Sequence, residues 1–300
     1  MFVPDDKRAP LPMTTPVLSS SALSSIADDL RQRDPDRFFT SLLAPAEYRD
    51  DLMALYALDA ELRQIRALVS EPMLGRIRLQ WWYERIAALQ TGEEQPSGPP
   101  LMYAMDALIH RTPMPENRFC DYFCGRSNDM EEAPILDTSF FQQYTQGVGG
   151  SLAVLAYRVL GGDFDHPAAE AARLSGAVWE TAYVLRSVLT HSQKGIMMLP
   201  LVDLPEAILS ASDIDSPEAV RSLGPLMIQL AQQGLDQARQ ARALCQRPPG
   251  QTLAAFLPMV IAEAWLTRLV RNGGDLLDAR LTLPHRRPLV MLWRRLRGIY

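Results

Sequence analysis

The chain has 300 residues, 47% of them hydrophobic, with a formal net charge of −5. That composition supports a large core, and the acidic balance argues against a nucleic-acid binder, which shows a basic footprint. Cys120, Cys124 and Cys245 are odd in number and lack zinc-ligand spacing, so they read as reduced thiols rather than a disulfide framework.

In chain order, residues 1–18 carry four prolines and few large apolar residues, which predicts a disordered arm ahead of a single domain over 19–300. Nothing there reads as a signal peptide, and no apolar stretch is expected to reach the ~18 residues that a membrane span needs. The expected location is therefore the cytoplasm, with peripheral contact to the inner membrane left open. Residues 46–69 hold Leu55, Leu58, Leu62, Ile65 and Val69, a 3-4-3-4 apolar seam that predicts a helix. A second helix is expected over 72–91, opened by Pro72 at a first-turn position. A loop follows over 92–100, with short breaks at 111–117 and 131–137. Asp137 and Thr138 then offer an N-cap for a helix over 137–160. After a turn at 161–166, helical period resumes over 167–191. A looser region at 201–217 precedes two long helical segments, 216–246 and 251–282, separated by Pro248, Pro249 and Gly250. No segment alternates with period two, so the fold class is all-α, an antiparallel bundle of long helices.

Two stretches and a segment between them carry a more specific signal. The first is Arg37-Phe38-Phe39-Thr40-Ser41-Leu42-Leu43, then Leu55-Tyr56-Ala57, then Arg78-Leu79-Gln80-Trp81-Trp82. The second is Gly176 through Lys194-Gly195-Ile196-Met197-Met198-Leu199-Pro200. Tyr144, Val148, Gly149 and Gly150 lie between them. In this order and spacing they resemble the squalene/phytoene synthase family over roughly 35–285. The resemblance implies a single-domain isoprenoid-synthase-like bundle around a central cavity. It also implies allylic diphosphate substrates held by Mg²⁺ on aspartates four apart on two facing helices, the metal stabilising charge on the leaving diphosphate.

The aspartates are missing. Where the family places its first acidic motif, this chain has Arg63, Gln64 and Ala67; where it places the second, Ser187, Thr190 and His191. Arg186, Lys194, Gly195, Leu199 and Pro200 of the surrounding frame are kept. Loss of one preorganised charge-stabilising group typically costs ~10²–10³ in rate, so no catalytic residue, metal ligand or cofactor is expected; Mg²⁺ would return only with an active enzyme. Asp59 lies four residues before Arg63, the spacing of a helical salt bridge. Alternatively Arg63, with Arg66, Arg186 and Lys194, forms a metal-free anion or diphosphate pocket. That reading is tempered by an arginine bias, since Lys7 and Lys194 are the only lysines among 30 cations. Asp129, Glu131 and Glu132 read as a solvated acidic surface, and Trp81-Trp82 as core and helix contact.

The run Ala57-Leu58-Asp59-Ala60-Glu61-Leu62-Arg63-Gln64, with Val69-Ser70-Glu71-Pro72 and Leu74-Gly75-Arg76-Ile77-Arg78, is similar to the family's complex I assembly-factor branch. That resemblance implies a non-catalytic scaffold whose partner is a complex I subunit or assembly intermediate. The alternatives are an active head-to-head prenyl-diphosphate synthase with an atypical diphosphate site, and a protein that keeps the cavity for an isoprenoid ligand without turnover. Residues 283–300 contain Arg286, Arg287, Arg294, Arg295 and Arg297 and no acid, interleaved with Leu289, Val290, Leu292, Trp293, Leu296 and Ile299. Such an end either lies on an anionic membrane surface or packs on the bundle with its basic face in water.

Overall fold

The computed structural model describes residues 20–69, 71–92, 95–131, 135–206, 208, 210–282 and 288–300. The arm expected over 1–18 lies outside these residues, as do 283–287 at the start of the basic end. Among the described residues there is no strand, and thirteen α-helices form the chain.

The first half is opened by local signals. After α1 (Ser20–Arg33), the Asp34 carboxylate accepts from the Arg37 backbone N–H and caps α2 (Pro35–Ser41), whose first residue is proline. The 3-4-3-4 seam forms α3 (Ala46–Leu68), which buries Leu55, Leu58, Leu62 and Ile65 along that stripe. Helix α4 (Pro72–Thr91) begins on its proline and stops at Gly92, whose φ of 71° is the left-handed conformation that ends helices. Helices α5 (Pro100–Arg111) and α6 (Glu116–Ser127) follow, and a 3₁₀ turn over Asn128–Met130 extends α6.

The segment expected as one helix over 137–160 is continuous but not regular. Asp137 caps α7 (Thr138–Thr145) through the Phe140 N–H, a π-helical turn spans Gln146–Gly150, and α8 (Ser151–Val159) completes it. The turn lies against α9 (Pro167–Ser192), the longest helix, which packs on α8, α11 and α12. At the crossing, a Cβ on Gly176 would overlap the Gly149 carbonyl oxygen, and a Cβ on Gly149 would fall 2.6 Å from the Glu180 Cβ. Two glycines thus let two backbones touch, and the contact sets the depth at which α9 carries Glu180.

The last third departs from the two long helices expected. Residues 216–246 divide at Leu223 into α10 (Pro217–Ser222) and α11 (Gly224–Leu244), because Pro225 sits at the opening of the second. Helix α12 (Leu257–Arg271) ends well before 282, since Gly273 and Gly274 both take positive φ. The span Gly250–Arg271 is long and apolar enough to cross a membrane, with mean hydropathy 1.6, contrary to the expectation of no such stretch; 72% of that window is buried inside the bundle, where it serves as a core element. Helix α13 (Pro288–Arg297) closes the chain, with Met291 and Tyr300 buried. One continuous apolar cluster runs from Ile26 to Tyr300.

Candidate functional site

The positions of the two missing acidic motifs lie on α3 and α9, which face one another across the centre of the bundle. Between them is a buried cluster of three guanidiniums and three carboxylates. Asp59 is fully buried on α3, one helical turn before Arg63. Its Oδ2 accepts from Arg63 Nε at 2.6 Å and from Arg37 Nη1 at 2.5 Å. Its Oδ1 accepts from Arg126 Nη2 and from the Tyr122 hydroxyl, both at 2.7 Å. Four donors fill the acceptor sites of one carboxylate.

The arginines extend the cluster. Arg63, 5% exposed at its side chain, donates through Nη2 to Glu180 Oε2 at 2.6 Å, and its guanidinium lies 3.8 Å from the centre of the Tyr183 ring. Arg126 donates through Nη1 to Asp129 Oδ2 at 3.0 Å and lies 3.6 Å from Glu180 Oε1. Asp129 also accepts from the Tyr144 hydroxyl at 2.7 Å. Arg37, Arg63 and Arg126 interlock with Asp59, Asp129 and Glu180, and Asp34 stands at the edge of the cluster with Oδ2 3.6 Å from Arg37 Nε.

The electrostatics follow from this pairing. Burial alone would raise the Asp59 pKa, but Arg63, Arg126, Arg37 and the Tyr122 hydroxyl outweigh it and hold the carboxyl well below its ordinary range. Burial disfavours the charged forms of Arg63 and Arg126 too, yet Asp59 and its neighbouring carboxylates hold both above the usual arginine value. His191, half-buried at the end of α9, is pushed down to about 4 by burial first and then by Lys194 and Arg63, so it is neutral at pH 7. Its ring meets Tyr183 edge to face at 6.4 Å.

The cluster bears on four expectations. Asp59–Arg63 does form the predicted i,i+4 pair, but as part of a buried network rather than a surface bridge worth a few tenths of a kcal/mol. Asp129 is no solvated surface acid; it is buried because Arg126 and Tyr144 meet it from α6 and α7. The central cavity implied by the resemblance is narrow between α3 and α9. The space lined by Arg63, Ala67, Arg126, Tyr183 and His191 measures about 30 Å³, room for a water or two against the ~300–1,000 Å³ of small-molecule pockets. The suggested anion pocket assembles only in part: Arg66 lines the same space as Arg63, while the other members are engaged or apart. Arg63 is neutralised by Asp59 and Glu180. Arg186 donates to Asp36 at 3.0 Å and stacks on Trp179 and Trp265. Lys194 is exposed beyond the end of α9.

The other motif positions are Gln64 and Ser187, both half-buried, and Thr190, exposed. Trp82 is buried in the core while Trp81, edge-on to it, is partly exposed. Arg126 is not among the residues that the sequence motifs single out, yet its spacing carries a signal. Phe119, Tyr122, Phe123, Arg126 and Met130 fall at i, i+3, i+4, i+7 and i+11, so the arginine stands on the apolar face of its helix.

Mg²⁺ does not fit this donor set. It needs hard oxygen ligands with lone pairs to give, and those of Asp59 are saturated by four hydrogen bonds while Asp129 and Glu180 face guanidiniums. Among the described residues no three His, Cys, Asp or Glu side chains converge as a metal site.

The architecture is that of the isoprenoid synthases. The chain superposes on squalene synthase HpnC from Alicyclobacillus acidocaldarius with a TM-score of 0.66 at 18% identity, covering 85% of this chain and 95% of that one. It superposes on a dehydrosqualene synthase with a TM-score of 0.69 at 17% identity, covering 92% and 96%. The sequence model of squalene/phytoene synthase matches residues 30–287, and the chain belongs to that family. Among curated relatives, "NADH dehydrogenase (ubiquinone) complex I, assembly factor 6" of Mus musculus is 24% identical over 255 residues, which span 84% of this chain and 75% of the mouse protein.

Proposed function

We propose that this chain is a non-catalytic member of the squalene/phytoene synthase family, a cytoplasmic scaffold that binds a subunit or intermediate during assembly of respiratory complex I. The observation that carries the reading is the saturation of Asp59 by Arg37, Arg63, Arg126 and Tyr122. Guanidiniums supply the positive charge that metal ions supply in a synthase, and they are tethered, so the centre holds the fold instead of a diphosphate. The resemblance to proteins named as complex I assembly factors points to the same role. A partner surface is available on the outside. Leu68, Met73, Leu74, Ile77 and Trp81 are exposed around the α3–α4 junction, and 73, 77 and 81 repeat at helical spacing.

Deletion of the gene, followed by native electrophoresis of membranes and an assay of NADH:quinone activity, tests the role. The expected result is loss of assembled complex I, restored by the wild-type gene and not by Met73→Ser/Ile77→Ser. Unchanged complex I overturns the assembly role. Diphosphate release from farnesyl or geranylgeranyl diphosphate with Mg²⁺ above a no-protein control overturns the non-catalytic one.

A further inference from the structure

Helix α13 has two apolar sides. Met291 points into the bundle. On the other side Leu289, Leu292, Trp293 and Leu296 fall at i, i+3, i+4 and i+7 and are 83%, 43%, 48% and 76% exposed. A stripe of that size on one short helix is costly in water. Arg295 and Arg297 flank it, the latter with its guanidinium 4.5 Å from the Trp293 ring centre, and residues 288–300 contain no acid.

Beneath the helix, between α13 and α12, runs a groove of about 320 Å³ lined by Thr267, Arg268, Arg271, Val290 and Arg294. Its one carboxylate, Glu263, is occupied: both oxygens accept from Arg242, at 2.7 and 2.6 Å. Among the described residues the side chains of Arg271 and Arg294 form no hydrogen bond or ion pair, although the Arg294 carbonyl accepts from the Ile299 N–H. Burial, and then Arg242, push the Arg294 pKa down, and Glu263, already held by Arg242, only partly offsets them.

We infer that α13 and this groove bind the surface of an anionic phospholipid bilayer, with Leu289, Leu292, Trp293 and Leu296 entering the headgroup boundary and a lipid phosphate taken by Arg271 and Arg294. A tryptophan and leucines bordered by arginines form the pattern of helices that lie in the interface plane. A protein partner would need to supply acids opposite every arginine; an anionic leaflet supplies them everywhere. This surface shares no residue with the central cluster, so it stands or falls independently of the assembly role.

Flotation of the full-length chain with vesicles tests it, comparing pure phosphatidylcholine with phosphatidylcholine containing phosphatidylglycerol as the anionic lipid. Binding is expected to the anionic vesicles alone and to weaken steeply with sodium chloride, because exposed charges are screened. Arg271→Gln should weaken partitioning about five-fold, and Arg271→Gln/Arg294→Gln by a further factor of that order. Trp293→Ser/Leu296→Ser, both at exposed positions, should abolish it with circular dichroism unchanged. Inorganic phosphate should release the protein no better than chloride at equal ionic strength. Equal binding to neutral vesicles, no binding, or variants that bind like wild type overturns the proposal. Thermal stabilisation by inorganic phosphate without flotation would make the groove a free-phosphate site only. A dimer in sedimentation that Trp293→Ser/Leu296→Ser disperses, again without flotation, would assign the face to a second copy of the chain.

Discussion

Arg63 on α3 reaches Glu180 on α9 with an Nη2–Oε2 distance of 2.6 Å, joining residues 117 apart in the chain. The pair spans the space between the two helices that carry the positions of the missing acidic motifs, and it ties those helices directly to one another.

Breaking that pair should be costly. Arg63→Met leaves Asp59 and Glu180 buried and short of a cation, and removing one partner of a buried pair typically costs about 3–5 kcal/mol. Glu180→Gln should cost less, because Asp59 still holds Arg63. The double variant should be more stable than the sum of the singles by about 1 kcal/mol or more. Urea midpoints of the four proteins check this; strict additivity would mean that the two side chains do not interact.

Acid should expose the Asp59 contribution. Its folded-state pKa lies well below the ordinary 3.8, so the stabilisation is complete above that value and is lost as pH falls through the folded-state value. Asp59→Asn should therefore be less stable than wild type near neutrality. The gap in melting temperature should narrow as the buffer is taken below pH 3.8.

His191 acts in a separate window. Its pKa is pushed from 6.5 down to about 4 in the folded protein, so between these values the unfolded chain binds the extra proton. Stability should fall as pH drops through that interval, with a slope of up to about 1.4 kcal/mol per pH unit from this residue. His191→Asn should flatten the curve between pH 6.5 and 4 and leave the steeper acid limb in place.

The glycine crossing is testable by adding one methyl group. In Gly176→Ala the new Cβ meets the Gly149 carbonyl, which is backbone and has nowhere to move, so the helices must separate. A loss of about 2 kcal/mol or more is expected, in the range of overpacked cores. Gly250→Ala, with nothing within 4 Å of its Cβ, is the control and should change the melting temperature little.

The narrow centre also predicts a ligand response. Farnesyl diphosphate with Mg²⁺ should leave the melting temperature unchanged, whereas a ligand at a hundred times its Kd would add about 2.7 kcal/mol of apparent stability. A clear upward shift would show that the bundle opens to admit a prenyl chain.

Much of this protein was determined locally. The Leu55-Leu58-Leu62-Ile65 seam, the Asp137 cap and the prolines at 72 and 217 specify helices through interactions spanning a few residues, so the sequence alone carried the all-α class. The absence of acids at 63, 64, 67, 187, 190 and 191 was equally plain. What replaced them was not. Asp129 reads as a surface acid until α6 and α7 bring Arg126 and Tyr144 to it. Glu180 meets Arg63 across the bundle only where the Gly149–Gly176 contact sets the depth of α9. A buried charge is tolerable only beside its partner. In this chain the partners lie on different helices, so only the tertiary structure could decide that a buried ion cluster stands where the acidic motifs are missing.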